Sequence, residues 1–346
     1  MLDHVGVGII GCGWITEAVH LPTLAGIPGV RVEAVCDRLD ERRAVAARFF
    51  PGATGYPDMR GLLSDPTLTA VIVALPPVQN RLVVEAALAA GKDVYVEKPL
   101  ALTSEDAAAI VAAWRKTRQI VMVGYNFRAS PVVMAAIELI RRGEIGDVVG
   151  IQGRFTWQAQ GVSGWRADVA TSGGVLADLG SHHIDLATLL ARSPVTEVSA
   201  CVRSLHSQAD TADMSLGFAN GVQAHIHVGT AAGVNANVMT VTGTGGALVV
   251  DLLEPRLWPP IRGDAGRTRS GRLAMASAAI HPLRLLAGSG REPSFRASLK
   301  VFLSACKTRL QPAPDPFDGS DVVRVVAAGR RSAESGCERC PVLVQP

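Results

Sequence analysis

The sequence predicts a two-domain α/β protein, in which a Rossmann domain with a doubly wound parallel sheet precedes an α+β domain with a large, mostly antiparallel open sheet. Three observations predict this fold class. Short apolar runs alternate with helical stretches through the first 124 residues, a glycine-rich loop follows the first run, and strand-like runs succeed one another after residue 125. A chain of 346 residues, of which 48% are hydrophobic, is long enough for a core in each domain. We therefore expect a first domain over 1–124 and a second domain over 125–346.

The apolar runs of the first domain are short, rich in β-branched residues and apolar throughout, which is typical of strands buried on both faces. Helical stretches such as "NRLVVEAALAAG" and "SEDAAAIVAAWRKT" separate the later runs. In chain order the runs are "VGVGII", "VRVEAVCD", "TAVIVALPP", "KDVYVEKP" and "QIVMVGYN". This alternation predicts a parallel sheet covered by helices.

The loop after the first strand carries Gly11 and Gly13. Gly11 permits the tight turn into a helix, and Gly13 lets the backbone approach a pyrophosphate at the helix N-terminus. The third glycine position of the usual pattern holds Thr16. Asp37 ends the next strand, where a carboxylate accepts hydrogen bonds from the adenine ribose and repels a 2′-phosphate. The pattern predicts dinucleotide binding and favours NAD, although Arg38 beside that carboxylate could hold the phosphate of NADP.

The second domain opens with one predicted helix, "SPVVMAAIELIRRG". The dipeptide Asn-Gly in "FANGVQ" is a strong hairpin signal between two later strands. A final helix over about 319–335 is expected to pack back onto the body of the protein. The strand-like runs are "GDVVGIQGRFTWQA", "TEVSACVRSL", "ADMSLGFANGVQAHIHVG" and "NVMTVTGTGGALVVD". With so few helices between them, they predict a largely antiparallel sheet.

Charge and cysteine content exclude several classes of protein. The 34 basic and 31 acidic residues leave a net charge of +3 without a long run of one sign, which argues against nucleic-acid binding. No uncharged stretch approaches the roughly 20 residues that cross a bilayer, and no basic segment precedes the first strand. The six cysteines are scattered, which suits buried thiols in a reducing compartment, and a redox or zinc role for "CERC" near the C-terminus is disfavoured. We expect a cytoplasmic protein with no nucleic-acid or membrane partner.

Several ordered motifs carry a specific resemblance to a known family. They are "EKP" at Glu97–Pro99, the loop "GCGWITEAVHLP", "YNFR" at Tyr125–Arg128, "GWR" at Gly164–Arg166 and "GGVLADLGSHHID" from Gly173. With them the chain resembles the glucose–fructose oxidoreductase/inositol dehydrogenase (Gfo/Idh/MocA) family from Val5 to Asp251. The resemblance implies a tightly bound nicotinamide cofactor and hydride transfer to or from a sugar or polyol. It also implies that 1–124 is a dinucleotide-binding domain and that 125–346 is a substrate-binding and oligomerisation domain, with a homodimer or homotetramer formed through the open sheet.

The stretch "GGVLADLGSHHIDL" places two aspartates and two adjacent histidines in apolar surroundings. At the roughly 100° per residue of an α-helix, His182 lies about 40° from Asp178, and Asp185 lies about 20° on its other side. His183 lies about 140° from Asp178, on a face shared with leucines. Such a face suits a zinc or iron site, a buried histidine satisfied by aspartates, or an acid–base pair. No second histidine cluster supports a metal, so we expect none. Lys98 supplies a further group for proton transfer, so we favour acid–base chemistry over a merely buried histidine.

The family resemblance implies Lys98, Asp178 and His182 as the catalytic groups. A histidine that titrates near neutrality suits removal of a hydroxyl proton, a neighbouring aspartate orients it, and a lysine stabilises negative charge on the same oxygen. Asn80 stands where the family usually has a histidine. The residues expected to bind the cofactor are Gly11, Gly13, Trp14, Ile15, Asp37, Arg38, Leu75, Pro76, Asn80, Glu97 and Lys98. Those expected to contact the substrate are Asn126, Arg128, Trp165, Arg166 and Asp185.

We therefore expect an NAD(P)-dependent oxidoreductase that acts on a secondary alcohol or ketone of a polyol, cyclitol or sugar. Three alternatives stay open: a dehydrogenase or ketoreductase of a nucleotide-activated sugar, a glycosidase-like relative that retains its cofactor, and a non-catalytic cofactor-sensing regulator. Eight arginines between Leu253 and Ser298 would suit a lid over an anionic sugar, whereas a solvated loop or helix is the simpler interpretation. The joint presence of the lysine, aspartate and histidine argues against a regulator.

Overall fold

A computed structural model describes residues 4–158, 164–262 and 293–343. The chain falls into two compact units. Unit 1 consists of Met1–Asn126, Ala170–Ser172 and Phe295–Val323, and unit 2 consists of Phe127–Val169, Gly173–Ser294 and Arg324–Pro346.

Unit 1 contains a parallel sheet. Its strands are β1 Val5–Ile10, β2 Val30–Cys36, β3 Thr54–Tyr56, β4 Ala70–Val73, β5 Asp93–Val96 and β6 Val121–Val123. They lie in the order β3-β2-β1-β4-β5-β6, and every neighbouring pair is parallel. All residues of β1, β4, β5 and β6 are buried, as a sheet covered on both faces requires. The predicted doubly wound Rossmann sheet is confirmed.

Helices alternate with these strands along the chain. They are a π turn Thr16–His20, α1 Leu21–Ala25, α2 Asp40–Ala46, α3 Met59–Leu63, a 3-10 turn Pro77–Gln79, α4 Asn80–Ala89 and α5 Ser104–Trp114. The start of α5 illustrates how the local sequence sets a helix end. The Thr103 side chain accepts a hydrogen bond from the Asp106 amide at 3.1 Å, and Glu105 and Asp106 lie in the first turn, where negative charge complements the helix dipole.

Unit 2 contains a mixed, mostly antiparallel sheet. Its strands are β7 Val148–Thr156, β8 Val195–Arg203, β9 Thr211–Phe218, β10 Gln223–Gly229, β11 Ala236–Gly243, β12 Gly246–Asp251, β13 Arg256–Arg262 and β14 Cys340–Pro341. Their order is β13-β12-β11-β7-β10-β9-β8-β14, and only the β7–β10 pair among them is parallel. β9 and β10 form the predicted hairpin, in which Gly221 adopts φ +87°. The predicted mostly antiparallel sheet is confirmed.

Helix α8, which carries His182 and His183, is deeply buried. The helical segments of this part of the chain are a 3-10 turn Asn126–Ala129, α6 Pro131–Arg141, a 3-10 turn Gly164–Ala167, α7 Val169–Ser172, a π turn Leu176–Gly180 and α8 Ser181–Ala191. Nine of the 11 residues of α8 are buried, so the helix is enclosed almost all round. It packs on β7, where a Cβ at Gly153 would lie 2.5 Å from His183 Nδ1.

The opposite face of this sheet is polar. Side chains alternate along a strand, so Arg154 of β7 points away from Gly153 and is exposed. Arg154 is in register with His227 of β10, whose Nδ1 lies 2.7 Å from Asp213 Oδ1 of β9. In the next row, His225 Nδ1 lies 3.0 Å from the Ser215 hydroxyl. Homo-oligomerisation through this open face stays a prediction.

Two helices lie in the C-terminal part of the chain, and the first of them overlaps the end of the arginine-rich stretch Leu253–Ser298. They are α9 Pro293–Thr308 and α10 Pro316–Glu334. α10 begins a few residues before the predicted start because Asp315 Oδ1 accepts hydrogen bonds from the amides of Phe317 at 2.8 Å and Asp318 at 3.0 Å. The arginine-rich stretch begins in β13 and ends in α9, and its middle, residues 263–292, lies outside the described residues.

The expectation of buried thiols rather than disulfides is wrong for one pair of cysteines. Cys201 of β8 and Cys337 form a disulfide, with Cα atoms 5.1 Å apart. The tail is brought there because β14 pairs with β8 and the Ser199 hydroxyl donates to the Cys337 carbonyl at 2.7 Å. Cys340 is a free thiol, so the two cysteines of "CERC" are not paired with each other.

Candidate active site

The glycine-rich loop has a tight backbone turn and leaves space for a ligand close to its backbone. Gly11 adopts φ +97°, and a Cβ there would lie 2.4 Å from the Ala74 carbonyl oxygen, so only glycine fits. A Cβ at Gly13 would meet nothing within 4 Å, which leaves open space above the loop. Thr16 replaces the third glycine of the usual pattern. It is fully buried, and its hydroxyl donates to the Gly11 carbonyl at 2.6 Å, which ties the following turn to the loop.

Asp37 follows β2 and is held by backbone amides. Its Oδ2 accepts from the Cys12 amide at 3.0 Å, and its Oδ1 accepts from the Leu39 amide at 3.1 Å. Arg42 Nη1 lies 3.7 Å from the same carboxylate, and Arg38 is exposed. The open space at Gly13 and this carboxylate fit a dinucleotide, with the pyrophosphate over the loop and the ribose hydroxyls on Asp37.

We expect the wild-type protein to bind NADH more tightly than NADPH. Asp37→Asn removes the charge that repels a 2′-phosphate but keeps an oxygen for the Cys12 amide. The Kd for NADPH is therefore expected to fall about tenfold, with a smaller change for NADH. Calorimetric titration with both cofactors measures this, with Asp40→Asn as the control at a neighbouring exposed carboxylate. Tighter binding of NADPH by the wild type would show that Arg38 and Arg42 dominate.

Lys98 follows β5, in a backbone segment that the Asn80 side chain holds by hydrogen bonds. Asn80 is fully buried, and its Nδ2 donates to the Pro99 carbonyl at 3.0 Å and to the Glu97 carbonyl at 3.4 Å. The Lys98–Pro99 peptide bond is cis. Asn80, expected to bind the cofactor, thus holds both carbonyls that flank Lys98. Glu97 was also expected to bind the cofactor. Its Oε1 lies 2.9 Å from Nε2 of the buried His20, but the two groups are not aligned for a hydrogen bond.

The remaining residues predicted to bind the cofactor lie where strands of unit 1 end. Trp14 and Ile15 follow the loop after β1, and Trp14 is 68% exposed. Leu75 and Pro76 follow β4 and are half-buried. The carboxyl ends of parallel strands share one edge of the sheet, and this is the edge at which doubly wound folds bind ligands.

The segment that carries Asp178 is not the regular α-helix assumed in the sequence analysis. Residues Leu176–Gly180 form a π turn, and α8 starts only at Ser181. A π turn takes more residues per turn than an α-helix, so the angle derived for Asp178 and His182 from regular helical spacing does not apply. Two glycines with positive φ, Gly173 and Gly174, precede the turn. π turns occur frequently at functional sites.

His183 is locked into the core of unit 2. Its Nε2 lies 2.9 Å from Asn237 Oδ1, and its ring stacks on Phe155 with centroids 5.6 Å apart and an interplanar angle of 29°. Burial lowers the pKa of His183 to about 4, although the hydrogen bond to Asn237 opposes this shift. His183 is therefore uncharged at neutral pH and unsuited to exchange protons with a substrate.

The pKa of His183 predicts an acid-dependent loss of stability. In the unfolded chain this imidazole takes up a proton near its ordinary pKa of 6.5, whereas in the folded protein it stays neutral to about pH 4. Because the unfolded state binds more protons in this window, the free energy of unfolding falls as the pH decreases, by roughly 2–3 kcal/mol from this group. Urea unfolding at several pH values should show a shallower decrease for His183→Gln than for wild type. His4→Gln, at a partly exposed histidine, should keep the wild-type slope. Equal slopes for wild type and His183→Gln would contradict this prediction.

His182 lies on the same helix and contacts two aromatic rings. It is 8% exposed, and its ring centroid lies 4.8 Å from that of Phe127 and 5.9 Å from that of Phe155. Asp185, one turn later, is 1% exposed, and both its oxygens accept hydrogen bonds from Arg128 at 2.6–2.9 Å. The structure thus brings together Arg128 and Asp185, which were predicted to contact the substrate.

The other predicted substrate residues are placed as follows. Trp165 and Arg166 belong to the 3-10 turn Gly164–Ala167, and the Arg166 guanidinium lies 4.7 Å from the Trp165 ring. Trp165 is 36% exposed, and Asn126, at the end of unit 1, is 1% exposed. The sequence analysis gave no role to His20 and Phe127, although they lie in the motifs "GCGWITEAVHLP" and "YNFR". It also gave none to Phe155 and Asn237, which lie in predicted strands.

Neither a metal-binding group nor a membrane-spanning helix is found within the described part of the chain. No group of three His, Cys, Asp or Glu side chains in these ranges could hold a metal ion. Over the same ranges, every helix is too short or too polar to cross a membrane.

Comparison with known proteins gives two family matches. The oxidoreductase family with an NAD-binding Rossmann fold matches residues 5–125, and the GFO/IDH/MocA C-terminal domain matches residues 133–249. Levoglucosan dehydrogenase from Pseudarthrobacter phenanthrenivorans is 31% identical over 201 residues, which are 55% of this chain and 52% of that protein, so the chain spans about half of it. Inositol 2-dehydrogenase 2 from Saccharopolyspora erythraea is 30% identical over 263 residues, 74% of each protein. The solved structure of GenD2 from gentamicin A biosynthesis, in complex with NAD, is similar with a TM-score of 0.84 and 26% identity over 99% of this chain and 98% of that one.

Proposed function

Because the chain belongs to the GFO/IDH/MocA oxidoreductase family and carries its NAD-binding Rossmann domain, we propose that it is a dehydrogenase of a secondary alcohol in a sugar, cyclitol or polyol. The relatives named for levoglucosan and inositol support a substrate with several hydroxyl groups. The reverse reaction, reduction of the corresponding ketone, uses the same groups.

One observation carries this proposal: a lysine lies at the ligand-binding edge of an NAD-binding sheet, and the backbone carbonyls on both sides of it are held by hydrogen bonds. Lys98 directly follows the strand β5, and the buried Asn80 amide binds the carbonyls on both sides of it. A preorganised positive charge at this edge suits the stabilisation of negative charge on a substrate oxygen.

The proposed chemistry assigns one task to each residue. His182 removes the hydroxyl proton, and its contacts with Phe127 and Phe155 limit the orientations of the imidazole ring. Lys98 stabilises the developing alkoxide, and Asp178 orients the histidine or the hydroxyl. When bound, NAD supplies the hydride acceptor. The buried Arg128–Asp185 pair supports α8, which carries His182, from the 3-10 turn Asn126–Ala129.

A substrate panel tests the proposal. Purified protein with NAD is incubated with inositols, levoglucosan, aldoses and sugar alcohols, and formation of NADH is followed by absorbance. We expect NADH to form with at least one uncharged compound, and to form much more slowly with the Lys98→Met variant. Turnover of nucleotide-activated sugars alone would favour the first alternative named above. Release of an aglycone without net NADH formation would favour the glycosidase-like alternative, and no turnover in either direction would contradict the proposal.

A further inference from the structure

A buried pair outside the proposed catalytic groups joins two parts of unit 1. His20 is the last residue of the π turn Thr16–His20 that follows the glycine-rich loop, and Glu97 directly precedes Lys98. His20 Nε2 lies 2.9 Å from Glu97 Oε1, and the two side chains are 0% and 11% exposed. The contact therefore connects the cofactor-binding turn to the segment that carries the lysine.

The surroundings of this pair are closely fitted. The Tyr95 and Phe295 rings lie 6.1 and 6.5 Å from the His20 ring, both edge-to-face. On the other side, a Cβ at Gly124 would lie 3.1 Å from Glu97 Oε2, so glycine leaves room for the carboxylate. Polar groups in such a place lose their hydration, and apolar residues of the same volume often stabilise a fold as well or better. The pair is thus poorly explained by stability alone.

Each end of the pair is tied separately to a functional segment. At one end, the Thr16 hydroxyl binds the Gly11 carbonyl, which fixes the π turn to the loop. At the other end, Asn80 binds the carbonyls of Glu97 and Pro99. The contact between the two side chains completes a continuous set of interactions from the loop to Lys98.

We propose that His20 and Glu97 are positioning residues that couple cofactor binding to the placement of the Lys98 amine. Neither residue is assigned a catalytic step. The inference rests on the proposed function only in that Lys98 matters for turnover. The coupling itself concerns NADH binding and the environment of one amine, and both can be measured without a substrate.

The test compares four variants of the full chain. His20→Leu removes the polar contact, His20→Gln keeps a donor for the carboxylate, and Glu97→Gln removes the charge from the other partner. The matched control is His4→Gln, because His4 Nε2 lies 3.6 Å from Glu33 Oε1 in a partly exposed pair of the same unit.

Two readouts are taken for each variant. The first is the Kd for NADH, from fluorescence titration. The second is the rate at which acetic anhydride modifies Lys98 relative to exposed Lys116, with and without NADH, from peptide mass spectrometry. The chain has five lysines, Lys92, Lys98, Lys116, Lys300 and Lys307, so these peptides are easily assigned.

We expect His20→Leu and Glu97→Gln to raise the Kd for NADH by about tenfold and to change the Lys98 labelling ratio by about threefold or more. His20→Gln is expected to recover most of both effects, and His4→Gln to match the wild type within about twofold.

A purely structural pair would give a different result. It would lower the unfolding midpoint of His20→Leu while leaving the NADH Kd and the labelling ratio at wild-type values, and this outcome would overturn the proposal. If His20→Leu does not fold, Glu97→Gln with unchanged Kd and labelling decides against the proposal in the same way. Failure of every alcohol in the substrate panel would contradict the proposed function and leave this test intact.

Discussion

Replacing His182 by alanine is expected to lower kcat by about 10²–10⁴-fold, the usual range for loss of a general base. The imidazole is removed from a buried helix face where it contacts Phe127 and Phe155, and water that enters the space is not oriented in the same way. The Kd for NADH should barely change, because the loop and Asp37, which we propose hold the cofactor, belong to unit 1 and are not altered. The measurement is steady-state kinetics with the substrate found in the panel, between about pH 6 and 10.

The adjacent histidine provides the matched control. His183→Ala removes an imidazole of the same size one residue away, but that ring is hydrogen-bonded to Asn237 and stays neutral at working pH. We expect a loss of stability and a much smaller loss of kcat. If folded His183→Ala loses turnover while folded His182→Ala keeps it, the assignment of the base to His182 is wrong.

Replacing Lys98 by methionine is expected to lower kcat by about 10²–10³-fold, because a fixed positive charge beside the reacting oxygen is lost. Methionine is apolar and of similar length, so the segment held by Asn80 should keep its conformation. Lys116→Met, at an exposed lysine of the same unit, is the control and should behave as wild type. Equal kcat values for Lys98→Met and wild type would show that the lysine does not stabilise charge in the reaction.

Local sequence patterns predicted the features that depend on few residues. The loop at Gly11 and Gly13, the hairpin at Asn220–Gly221 and the helix Pro131–Arg141 each follow from a turn residue or a hydrophobic period that acts over a short span. Within α8, helical spacing also placed His183 with the buried leucines Leu186 and Leu190, although the angle counted from Asp178 did not apply. The start of α10 also has a local signal, because Asp315 directly precedes the helix and accepts a hydrogen bond from the Phe317 amide.

Contacts between distant residues could not be predicted in this way. His20 meets Glu97 across 77 positions, and Arg128 meets Asp185 across 57. The carboxylate that pairs with His20 or with Arg128 is determined by how the strands and helices pack. No local sequence pattern encodes that packing. The disulfide between Cys201 and Cys337 has the same origin, since the edge strand of the sheet brings the tail to it.

The π turn Leu176–Gly180 sets the rotational phase between the residues before it and α8. A π turn corresponds to one residue inserted into an α-helix, and one residue of an α-helix is about 100° of rotation and 1.5 Å of rise. Nine buried residues anchor α8, so deletion of one residue from the turn would leave the helix in place and rotate the upstream segment instead. Asp178 would then swing away from its position relative to His182, with no change in the identity of either residue. The length of this turn is therefore as much a determinant of the site as the side chains are, and sequences that keep both residues but shorten the turn should not be assumed to share the chemistry.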